Sequence, residues 1–382
     1  MRRTGTYATS TTLGEAVQAF VPLPLPPSEP VLAPTCFAAG NHAAELALAR
    51  LSGVSGLVPS VDWLLYSAVR KEALLTSQIE GTQATLVDLF DEEAGFAISN
   101  TDDVEEVTNY LRAFRLVQDN LRDPAGLPIS VRLLCDAHRL LLDGVRGSGK
   151  QPGELRRSQN WIGGTRPGNA AFIPPPAERV ADLLADVERF IHDDSAPALP
   201  PLVKIALVHA QFETIHPFLD GNGRIGRLLI AALMEHWRLL PEPLMYLSGY
   251  LKQHQSAYYQ QLSAIRTQGD WEGWVSFFLE GVAAAASEAE RGIVAIASLI
   301  AADRRRLLAS PKAGPASYRL FEALPMMPRF TVEMARQALN TSFPTANAAV
   351  KLLEDLGIVS ELTGQKKNRS YSYQAYIELM TR

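Results

Sequence analysis

Apolar residues recur at helical spacing through most of the chain, and the alternation typical of strands is scarce before residue 315. The exception is the segment 158–173, where two short apolar patches around glycines predict a β-hairpin. Residues 1–20 are polar, and the proline-dense stretch 21–30 predicts an extended arm on the surface. Helices are predicted at residues 38–51, 60–79, 101–121, 131–142, 180–192, 201–214, 251–267 and 271–291. The pattern therefore predicts a mainly α fold.

The pattern changes near residue 304, where three arginines and then a Gly-Pro pair indicate a boundary. Helices are predicted beyond it at 316–324, 331–339 and 344–356, and strands at 358–362 and 370–373. Thr331 and Thr345 are candidate N-caps. This order resembles a winged helix-turn-helix, with residues 345–351 in the recognition position. The loop in the position of the wing carries Lys366, Lys367 and Arg369.

The C-terminal segment carries little net charge for a module that binds DNA. From Arg319 to the end there are eight basic and six acidic residues, which leaves a net charge of +2. Winged helices also mediate contacts between proteins. We therefore expect either a protein partner or weak DNA binding for this segment.

Composition narrows the class of protein further. The 382 residues are 47% hydrophobic and 20% charged, which suits two or three globular domains. The net charge of -5 argues against a dedicated nucleic-acid binder. The two cysteines form neither a disulfide framework nor a zinc spacing, and no apolar run is long enough to span a bilayer. We therefore expect a soluble cytoplasmic protein without membrane contact.

The most informative stretch is residues 216–227, HPFLDGNGRIGR. An apolar run follows it directly, so a helix is predicted that has Arg224 in its first turn and reaches about Trp237. Unpaired N–H groups at the start of a helix favour a phosphate. Gly221 and Gly223 lack Cβ atoms, so the backbone between them can approach an anion closely. The stretch therefore predicts a phosphate site.

The side chains of the same stretch suit nucleotide chemistry. Arg224 and Arg227 are three residues apart and share a helix face, where two guanidinium groups fit a polyphosphate better than a monophosphate. The carboxylate of Asp220 can hold Mg²⁺, which prefers oxygen ligands. His216 is the group whose unperturbed pKa suits a general base near neutral pH.

Residues 216–227 resemble the signature of Fic-domain proteins, HPFx(D/E)GNGRxxR, with no departure at any specified position. The resemblance implies that His216 accepts the proton of a target hydroxyl, that Asp220 holds Mg²⁺, and that AMP is transferred from ATP to a protein side chain. It further implies Gly221, Asn222 and Gly223 as the cradle of the α- and β-phosphates, and Arg224 and Arg227 as ligands of the β- and γ-phosphates.

Two flanking segments resemble other parts of that family. Residues 161–164, which are Trp161, Ile162, Gly163 and Gly164, are similar to its flap, a hairpin beside the active site that pairs with the backbone of the target. Tyr258 and Tyr259 match its adenine-side segment in position. For either tyrosine, a place in the helix core is about as good an interpretation as a contact with the base.

Residues 76–81, TSQIEG, resemble the inhibitory motif of the family, (S/T)xxxE(G/N). There the glutamate forms an ion pair with the second signature arginine and blocks productive ATP binding. The resemblance implies that Glu80 plays this role against Arg227. Because the motif precedes the signature, the chain is similar to the class that is inhibited by an N-terminal helix.

We therefore expect a Fic-type helical core with a β-hairpin flap, in a protein adenylyltransferase that uses Mg-ATP, modifies a Ser, Thr or Tyr hydroxyl of an unidentified target and of itself, and is restrained by Glu80. The predicted division is an N-terminal helical region at 1–100, a catalytic domain at 101–290, and a linker helix with the winged helix at 291–382. Alternatives left open are removal of AMP, transfer of another nucleotide, and a DNA-binding regulator that senses nucleotide. A homodimer is also left open.

Overall fold

The computed structural model describes residues 2–193, 199–365 and 367–381. Its helices are α1 (Ala38–Val54), α2 (Val61–Ile79), α3 (Leu86–Glu93), α4 (Thr101–Arg122), α5 (Val131–Leu141), α6 (Val180–His192), α7 (Pro201–Ile215), α8 (Asn222–His236), α9 (Leu247–Gln253), α10 (Gln255–Gln268), α11 (Trp271–Ala309), α12 (Pro315–Ala323), α13 (Val332–Leu339), α14 (Phe343–Asp355) and α15 (Gln374–Thr381). Its strands are β1 (Gly5–Thr12), β2 (Glu15–Pro22), β3 (Arg329–Thr331), β4 (Ser360–Glu361) and β5 (Ser370–Ser372). The prediction of a mainly α fold is confirmed, since 62% of the structure is helix.

The centre of the fold is α7, which is buried along nearly its whole length. Its sequence is apolar on every side, as expected for a helix that is enclosed by others. Helix α8 packs beside it, and α6, α10 and α11 complete the enclosure. Because residues 216–221 connect α7 to α8, the candidate phosphate site lies at the end of the most deeply buried pair of helices.

Three helical features differ from the prediction. Helix α11 does not end near residue 291 but continues to Ala309, because Ile293, Ile296 and Ile300 extend its buried face. The helix predicted at 251–267 is divided into α9 and α10 at His254. Helix α3 was not predicted, since its eight residues are too few for a clear period. The division into domains stays a prediction, and α11 runs through its boundary at residue 290. Within the described ranges, we find no helix that could cross a membrane.

An N-terminal hairpin was missed by the prediction for residues 1–20. Strands β1 and β2 pair antiparallel, from Gly5 opposite Pro22 to Thr12 opposite Glu15. Only β2 buries its residues against the body of the protein, and β1 is largely exposed on both faces. The outer strand therefore has no apolar alternation that could have revealed it.

The predicted hairpin at 158–173 is a two-armed loop with a single bridged pair, Ile162 and Phe172. A short 3-10 turn, Pro167–Asn169, lies between the arms. Gly163 and Gly164 both adopt left-handed backbone, with φ of +67° and +72°. The prediction of glycines at the turn is confirmed. The ladder between the arms, however, is a single bridged pair, which is too short to form two strands.

The C-terminal segment, in which a winged helix is predicted, contains a small three-stranded antiparallel sheet beside its helices. Helices α12, α13 and α14 are followed by β4 and β5, and the sheet order is β3-β5-β4. Thr331 caps α13 by accepting a hydrogen bond from the Met334 N–H, as predicted. The expectation for Thr345 is wrong, because α14 begins at Phe343 and Thr345 lies inside it. Of the predicted wing residues, Lys366 lies outside the described residues.

Hydrogen bonds attach the C-terminal segment to the N-terminal half of the chain. Arg329 donates two hydrogen bonds to Asp91 of α3, at 2.7 and 2.8 Å. The Tyr376 hydroxyl of α15 donates to the Trp63 carbonyl of α2 at 3.4 Å. The helix that carries Glu80 at its end therefore contacts the C-terminal domain directly.

Candidate active site

His216 is the residue at which α7 ends. Its backbone is left-handed, with φ of +51°, and its N–H donates to the Phe212 carbonyl at 2.9 Å. Its ring lines a cavity, and Nδ1 is buried without a hydrogen-bond partner among the described residues. Burial, together with the charges of Arg156 and Arg266, lowers the pKa of His216 to about 3. The imidazole is therefore neutral near pH 7, which is the form that can accept a proton.

The loop after His216 is closed by the side chain of Asn222. Its Oδ1 accepts a hydrogen bond from the Phe218 N–H and its Nδ2 donates to the Phe218 carbonyl, both at 2.8 Å. Asn160 donates to the same carbonyl at 3.2 Å. The side-chain amide of Asn222 is thus occupied by the loop. A contact between Asn222 and a phosphate would have to use its backbone N–H.

Arg156 also holds this loop in place, and the sequence did not predict that role. Its guanidinium donates to the carbonyls of His216 at 2.9 Å, Pro175 at 2.6 Å and Ile215 at 3.3 Å. Only 2% of Arg156 is exposed, and burial lowers its pKa to about 10. The neighbouring Arg157 is exposed. No sequence signal separates these adjacent arginines, because the difference comes from carbonyls that converge only in the fold.

His138 of α5 fixes the other side of the loop and was also missed. Its Nδ1 accepts from the Gly153 N–H at 2.9 Å, so the proton is on Nε2, which lies 3.0 Å from the Asp220 carbonyl and donates to it. The ring stacks on Phe218 with centroids 3.9 Å apart. Burial is the main reason why the pKa of His138 falls to about 4. A neutral histidine therefore holds the carbonyl before Gly221 in place.

The start of α8 has the geometry of an anion site. Gly221 precedes its first residue and has φ of +75°, as the glycine prediction expected. A Cβ at Gly221 would lie 3.1 Å from Leu141 Cδ2, so the loop also passes close to α5. The first-turn N–H groups of α8 have no helical acceptor. The predicted helix is confirmed, with Arg224 in its first turn.

Arg224 and Asp220 lie at this end of the site. Arg224 is buried, donates to Glu106 Oε2 at 3.3 Å, and its Nη2 lies 3.7 Å from Asp220 Oδ1. Burial lowers the pKa of Arg224, although Glu106 and Asp220 oppose that effect. Its Nε is buried without a partner among the described residues. A buried guanidinium with an unused donor is suited to a further acceptor such as a phosphate oxygen.

The donor set fits a magnesium ion only if a ligand supplies most of the coordination. The side chain of Asp220 is 40% exposed, and its Oδ1 accepts from the Gly221 N–H. Within the described ranges, no group of three or more His, Cys, Asp and Glu side chains could hold a metal. One carboxylate beside a phosphate site agrees with the usual binding of Mg²⁺ through one or two carboxylates and substrate phosphates.

Arg227 is held by the predicted inhibitory segment. Its Nε donates to Thr76 Oγ1 at 2.6 Å, and its Nη2 donates to the Thr76 carbonyl at 3.1 Å and to Glu80 Oε1 at 2.6 Å. Burial alone would raise the pKa of Glu80, but Arg227 outweighs burial and lowers it. A Cβ at Gly223 would collide with Glu80 Oε1. The structure therefore brings together the residues that the sequence predicted as an inhibitory pair.

A cavity of about 580 Å³ joins these parts. Trp161, Ile162 and Gly163 of the flap form one wall, while the neighbouring Gly164 lies outside the lining. Glu80 also lines the cavity. The remaining lining residues are Ala171, Phe172, Glu213, His216, Gly223, Arg227, Tyr258, Tyr259, Leu262, Ser263 and Arg266. The first turn of α8, the imidazole of His216 and two tyrosine side chains thus line one cavity.

The two predicted tyrosines line the cavity differently. Tyr258 is buried, and its hydroxyl donates to His209 Nε2 at 2.9 Å. His209 Nδ1 in turn donates to the Gly226 carbonyl at 3.1 Å, so this histidine is a packed residue that links α7, α8 and α10. Tyr259 is 48% exposed at the rim. The Tyr258 side chain is held in place by its hydrogen bond to His209, whereas the exposed ring of Tyr259 is accessible to a ligand.

Glu213, one turn before His216, also lines the cavity and was missed by sequence reasoning. It is 8% exposed, and its Oε1 has no hydrogen-bond partner among the described residues. Burial raises the pKa of Glu213 to about 7. A carboxyl group near the end of a largely apolar helix, three residues before His216, is the sequence signal that could have drawn attention to it.

Two family models match the chain. Residues 39–119 match the Fic/DOC family N-terminal model, and residues 128–234 match the Fic/DOC family model. The second match contains α5 to α7 and most of α8, with the loop that holds His216. The fold and this loop define a Fic/DOC protein. Residues 39–234 of the chain belong to that family, as the signature indicated.

Curated relatives share part of this region. The protein adenylyltransferase Fic of Drosophila melanogaster is 31% identical over 157 residues, which cover 40% of this chain and 28% of that protein. The protein adenylyltransferase fic-1 of Caenorhabditis briggsae is 30% identical over 129 residues, 34% of this chain and 24% of that protein. The match thus spans about a quarter of the relatives' own length.

Solved structures share the fold. A Fic family protein from Desulfovibrio desulfuricans aligns with a TM-score of 0.57 at 21% identity, covering 90% of this chain and 97% of that one. Fic-1 from Caenorhabditis elegans aligns with a TM-score of 0.51 at 21% identity, covering 68% and 73%. At these identities the comparisons establish the fold, and the chemistry has to be argued from the site.

Proposed function

We propose that this protein transfers AMP from Mg-ATP to a hydroxyl group of a protein side chain. The observation that carries the proposal is one cavity that is lined by the neutral imidazole of His216 and by Gly223 and Arg227 of α8. The names of the relatives support the same reaction, since both are adenylyltransferases. The target protein and the choice among Ser, Thr and Tyr belong to the proposal and are left to experiment.

The proposed reaction uses each residue of the loop for one task. The first-turn N–H groups of α8 and Arg224 bind the phosphates and neutralise charge that develops on them. The target oxygen attacks the α-phosphorus, His216 accepts the hydroxyl proton, and the bond to the β-phosphate oxygen breaks, so that pyrophosphate leaves. Arg156 and His138 act on this step by holding the loop. The negative charge of bound ATP would offset Arg156 and Arg266 and raise the basicity of His216.

Asp220 is the residue that would hold a magnesium ion beside the phosphates. The ion would neutralise charge on the leaving group. Asp220 is suited to that position because its carboxylate is partly exposed next to the predicted phosphate site. In this structure Asp220 Oδ1 accepts a hydrogen bond from the Gly221 N–H and lies near Arg224. Oδ1 would have to give up these contacts in order to bind a metal.

Glu80 would restrain this activity. Arg227 is proposed to bind the γ-phosphate, but here it donates to Thr76 and Glu80. A phosphate and the Glu80 carboxylate compete for the same guanidinium, and Glu80 competes without an encounter cost because it is tethered in the chain. The structure of this segment is therefore compatible with a restrained form of the enzyme.

The reaction type is tested with ATP labelled at either phosphate. With Mg²⁺ and cell extract as the source of targets, the α-label should remain on protein and the γ-label should not. Retention of the γ-label would make the protein a kinase and disprove the proposal. His216→Ala should lose about 10²- to 10⁴-fold in transfer, because that is the usual contribution of a positioned base. Circular dichroism of the variant excludes unfolding as the cause.

Removal of AMP is a second candidate, favoured by one observation. Glu80 and His216 line the same cavity, so Glu80 could orient a water molecule toward an AMP-modified side chain. The two candidate functions predict opposite effects of one substitution at Glu80. Glu80→Gly should raise transfer if Glu80 only restrains the enzyme, and it should abolish AMP removal if Glu80 orients water.

A further inference from the structure

Glu213 is a buried carboxyl group whose burial is offset only in part by the charges of Arg227 and Arg266. It lies on α7 and lines the cavity, and its Oε1 is enclosed without a hydrogen-bond partner among the described residues. The nearby arginines direct named donors elsewhere: Arg227 Nε and Nη2 bind Thr76 and Glu80, and Arg266 Nε binds Thr214 at 3.2 Å. A buried acceptor that is left unpaired is destabilising and calls for an explanation.

The fold makes room for this carboxyl group. A Cβ at Gly226 of α8 would lie 2.6 Å from Glu213 Oε1 and 3.2 Å from Phe212 Cδ1. Glycine at this position therefore lets α7 and α8 approach closely while the carboxyl group stays between the helix and the cavity. Burial raises the pKa of Glu213 to about 7, and both the carboxyl and the carboxylate can accept a hydrogen bond.

The groups that line the cavity favour different parts of a ligand. The first turn of α8 and Arg227 attract phosphates. Glu213 does the opposite, because a carboxylate repels phosphate oxygens and those oxygens offer no hydrogen at neutral pH. Beside Glu213 the wall consists of Tyr258, Tyr259 and Leu262, which suits the apolar faces of a nucleoside.

We infer that Glu213 accepts a hydrogen bond from the nucleoside part of the bound nucleotide, either a ribose hydroxyl or an exocyclic amine of the base, and thereby sets its orientation and selectivity. This inference rests on the proposed function, because it assumes that a nucleoside triphosphate occupies the cavity. It assigns to Glu213 a positioning role that is separate from proton transfer by His216. The ribose and the amine are distinguished by the test.

The test measures binding, not turnover. The reference protein is the full chain with Glu80→Gly and His216→Ala, which frees Arg227 and prevents transfer. Its affinities are measured by calorimetry for ATP, 2′-deoxy-ATP, 3′-deoxy-ATP, the triphosphate of purine riboside, and inorganic tripolyphosphate. Glu213→Leu and Glu213→Gln are then added to the reference. Glu280→Gln, which removes an exposed carboxylate on α11, controls for net charge.

Glu213→Leu should weaken ATP about tenfold, the usual effect of one lost hydrogen bond, and leave tripolyphosphate within about twofold. One analogue should bind the reference about tenfold more weakly than ATP, and that difference should disappear in Glu213→Leu. Loss with the deoxy compounds identifies the ribose, and loss with purine riboside identifies the amine. Glu213→Gln keeps an acceptor and should retain ATP within a few-fold.

Other outcomes overturn the inference. Equal losses for ATP and tripolyphosphate would show a general electrostatic effect, and an unchanged preference for ATP over every analogue would show that Glu213 binds none of these groups. Glu213→Leu should raise the melting temperature, since it removes an unpaired buried carboxyl group; if it does not fold, Glu213→Met takes its place. A folded reference that binds neither ATP nor tripolyphosphate would disprove the proposed function and this inference together.

Discussion

Two parts of the cavity wall, the part that contains Glu80 and the flap, differ in how tightly they are held to the rest of the protein. The wall that ends in Glu80 belongs to α2, which is tied to α9 by buried hydrogen bonds from the Ser248 N–H and hydroxyl to Glu72. The same helix also accepts two hydrogen bonds from Arg227 through Thr76. Glu80 is therefore at the end of a packed helix. It is not part of a loose segment that occupies the site by chance.

The flap wall has much less support. One bridged pair, Ile162 and Phe172, holds its arms together. Behind it, the Phe20 N–H of β2 donates to the Ile173 carbonyl at 3.0 Å, and the Phe20 ring lies 6.2 Å from that of Phe172. Arg266 lies over the face of Phe172 at 3.8 Å. A flap whose ladder is limited to one bridged pair is suited to meet the backbone of a protein target.

The walls are also attached to opposite ends of the chain. Helix α2 contacts the C-terminal domain through Trp63 and Tyr376. The flap contacts the N-terminal hairpin through Phe20 and through the ion pair of Arg166 with Glu15. Changes in the C-terminal segment should therefore reach Glu80, and changes in the hairpin should reach the flap.

The largest effect is expected at the firm wall, from Glu80→Gly. An Arg–carboxylate hydrogen bond contributes about 1.5–3 kcal/mol, so its loss should raise productive ATP binding and AMP transfer by roughly 10- to 150-fold. The lower part of that range is expected, because the Glu80 side chain is 34% exposed and Thr76 still holds Arg227. Incorporation of α-labelled AMP measures the gain, including self-modification.

Arg227→Ala in the same protein is the control. It should abolish the gain, because the proposed γ-phosphate contact is lost as well. If Glu80→Gly changed neither transfer nor AMP removal, the inhibitory interpretation of residues 76–81 would be wrong. The segment would then be only the end of α2, with an ion pair that stabilises the fold.

A smaller effect is expected at the flap wall, from Phe20→Ala. Phe20 is buried, and loss of its ring would leave Phe172 without support from the hairpin. Target transfer should fall about tenfold, since small misplacements of a docking surface are costly for reactions that depend on orientation. ATP binding should stay within about twofold. Thr11→Ala, at an exposed position of the outer strand opposite Ala16, should change neither quantity. A parallel fall in ATP affinity would show that the hairpin supports the whole site.

The sequence predicts best those parts of the site whose structure is determined by residues close together in the chain. Residues 216–227 could be interpreted nearly residue by residue, because a helix start after glycines determines its own geometry and position. Glu80 and Arg227 are 147 positions apart, and only the resemblance to known motifs connected them before the structure was known. The hydrogen bonds confirm that they are in contact, while the inhibitory role remains a proposal.

Arg156, His138 and Glu213 could not be predicted in the same way. Each acts on groups that come together only through tertiary packing, such as the carbonyls around Arg156 or the space left by Gly226. The hairpin of β1 and β2 escaped for the opposite reason, since its outer strand is exposed and has no apolar period. Local patterns therefore predicted the loop, and packing determined what supports it.

A third prediction concerns His209, the buried residue that links α7, α8 and α10. His209 is completely buried, and its pKa falls to about 3 from an unfolded value near 6.5, chiefly through burial. The unfolded chain therefore binds a proton that the folded protein does not. The stabilisation is complete above about pH 6.5 and is lost as the pH falls toward 3.

The free energy of unfolding should accordingly decrease as the pH falls from 6.5 to 4.5. His209→Gln keeps a donor for the Gly226 carbonyl and an acceptor for Tyr258, but it does not titrate. It should reduce this slope by about 1.4 kcal/mol per pH unit. Urea denaturation at several pH values measures the slope for both proteins. Equal slopes would show that His209 is not held neutral in the folded state.

The smallest effect is expected at the winged helix, whose binding to duplex DNA should be weak at physiological salt. The exposed side of the recognition helix α14 carries Phe343, Pro344, Thr345 and Ala348 but only one cation, Lys351, in its first nine residues. Affinity for DNA depends mainly on cations that neutralise phosphates. A surface of this composition is better suited to a protein partner.

Pairing within the fold weakens the case for DNA further. Arg329 is bound to Asp91 and Arg336 to Glu333, so these two charges are already neutralised. Fluorescence anisotropy with duplex DNA at several salt concentrations should therefore give weak binding with little sequence preference. Tight, selective binding that is lost on changing Lys366, Lys367 and Arg369 would contradict this expectation. Since α15 contacts α2, such binding would also identify DNA as a ligand able to act on the wall that carries Glu80.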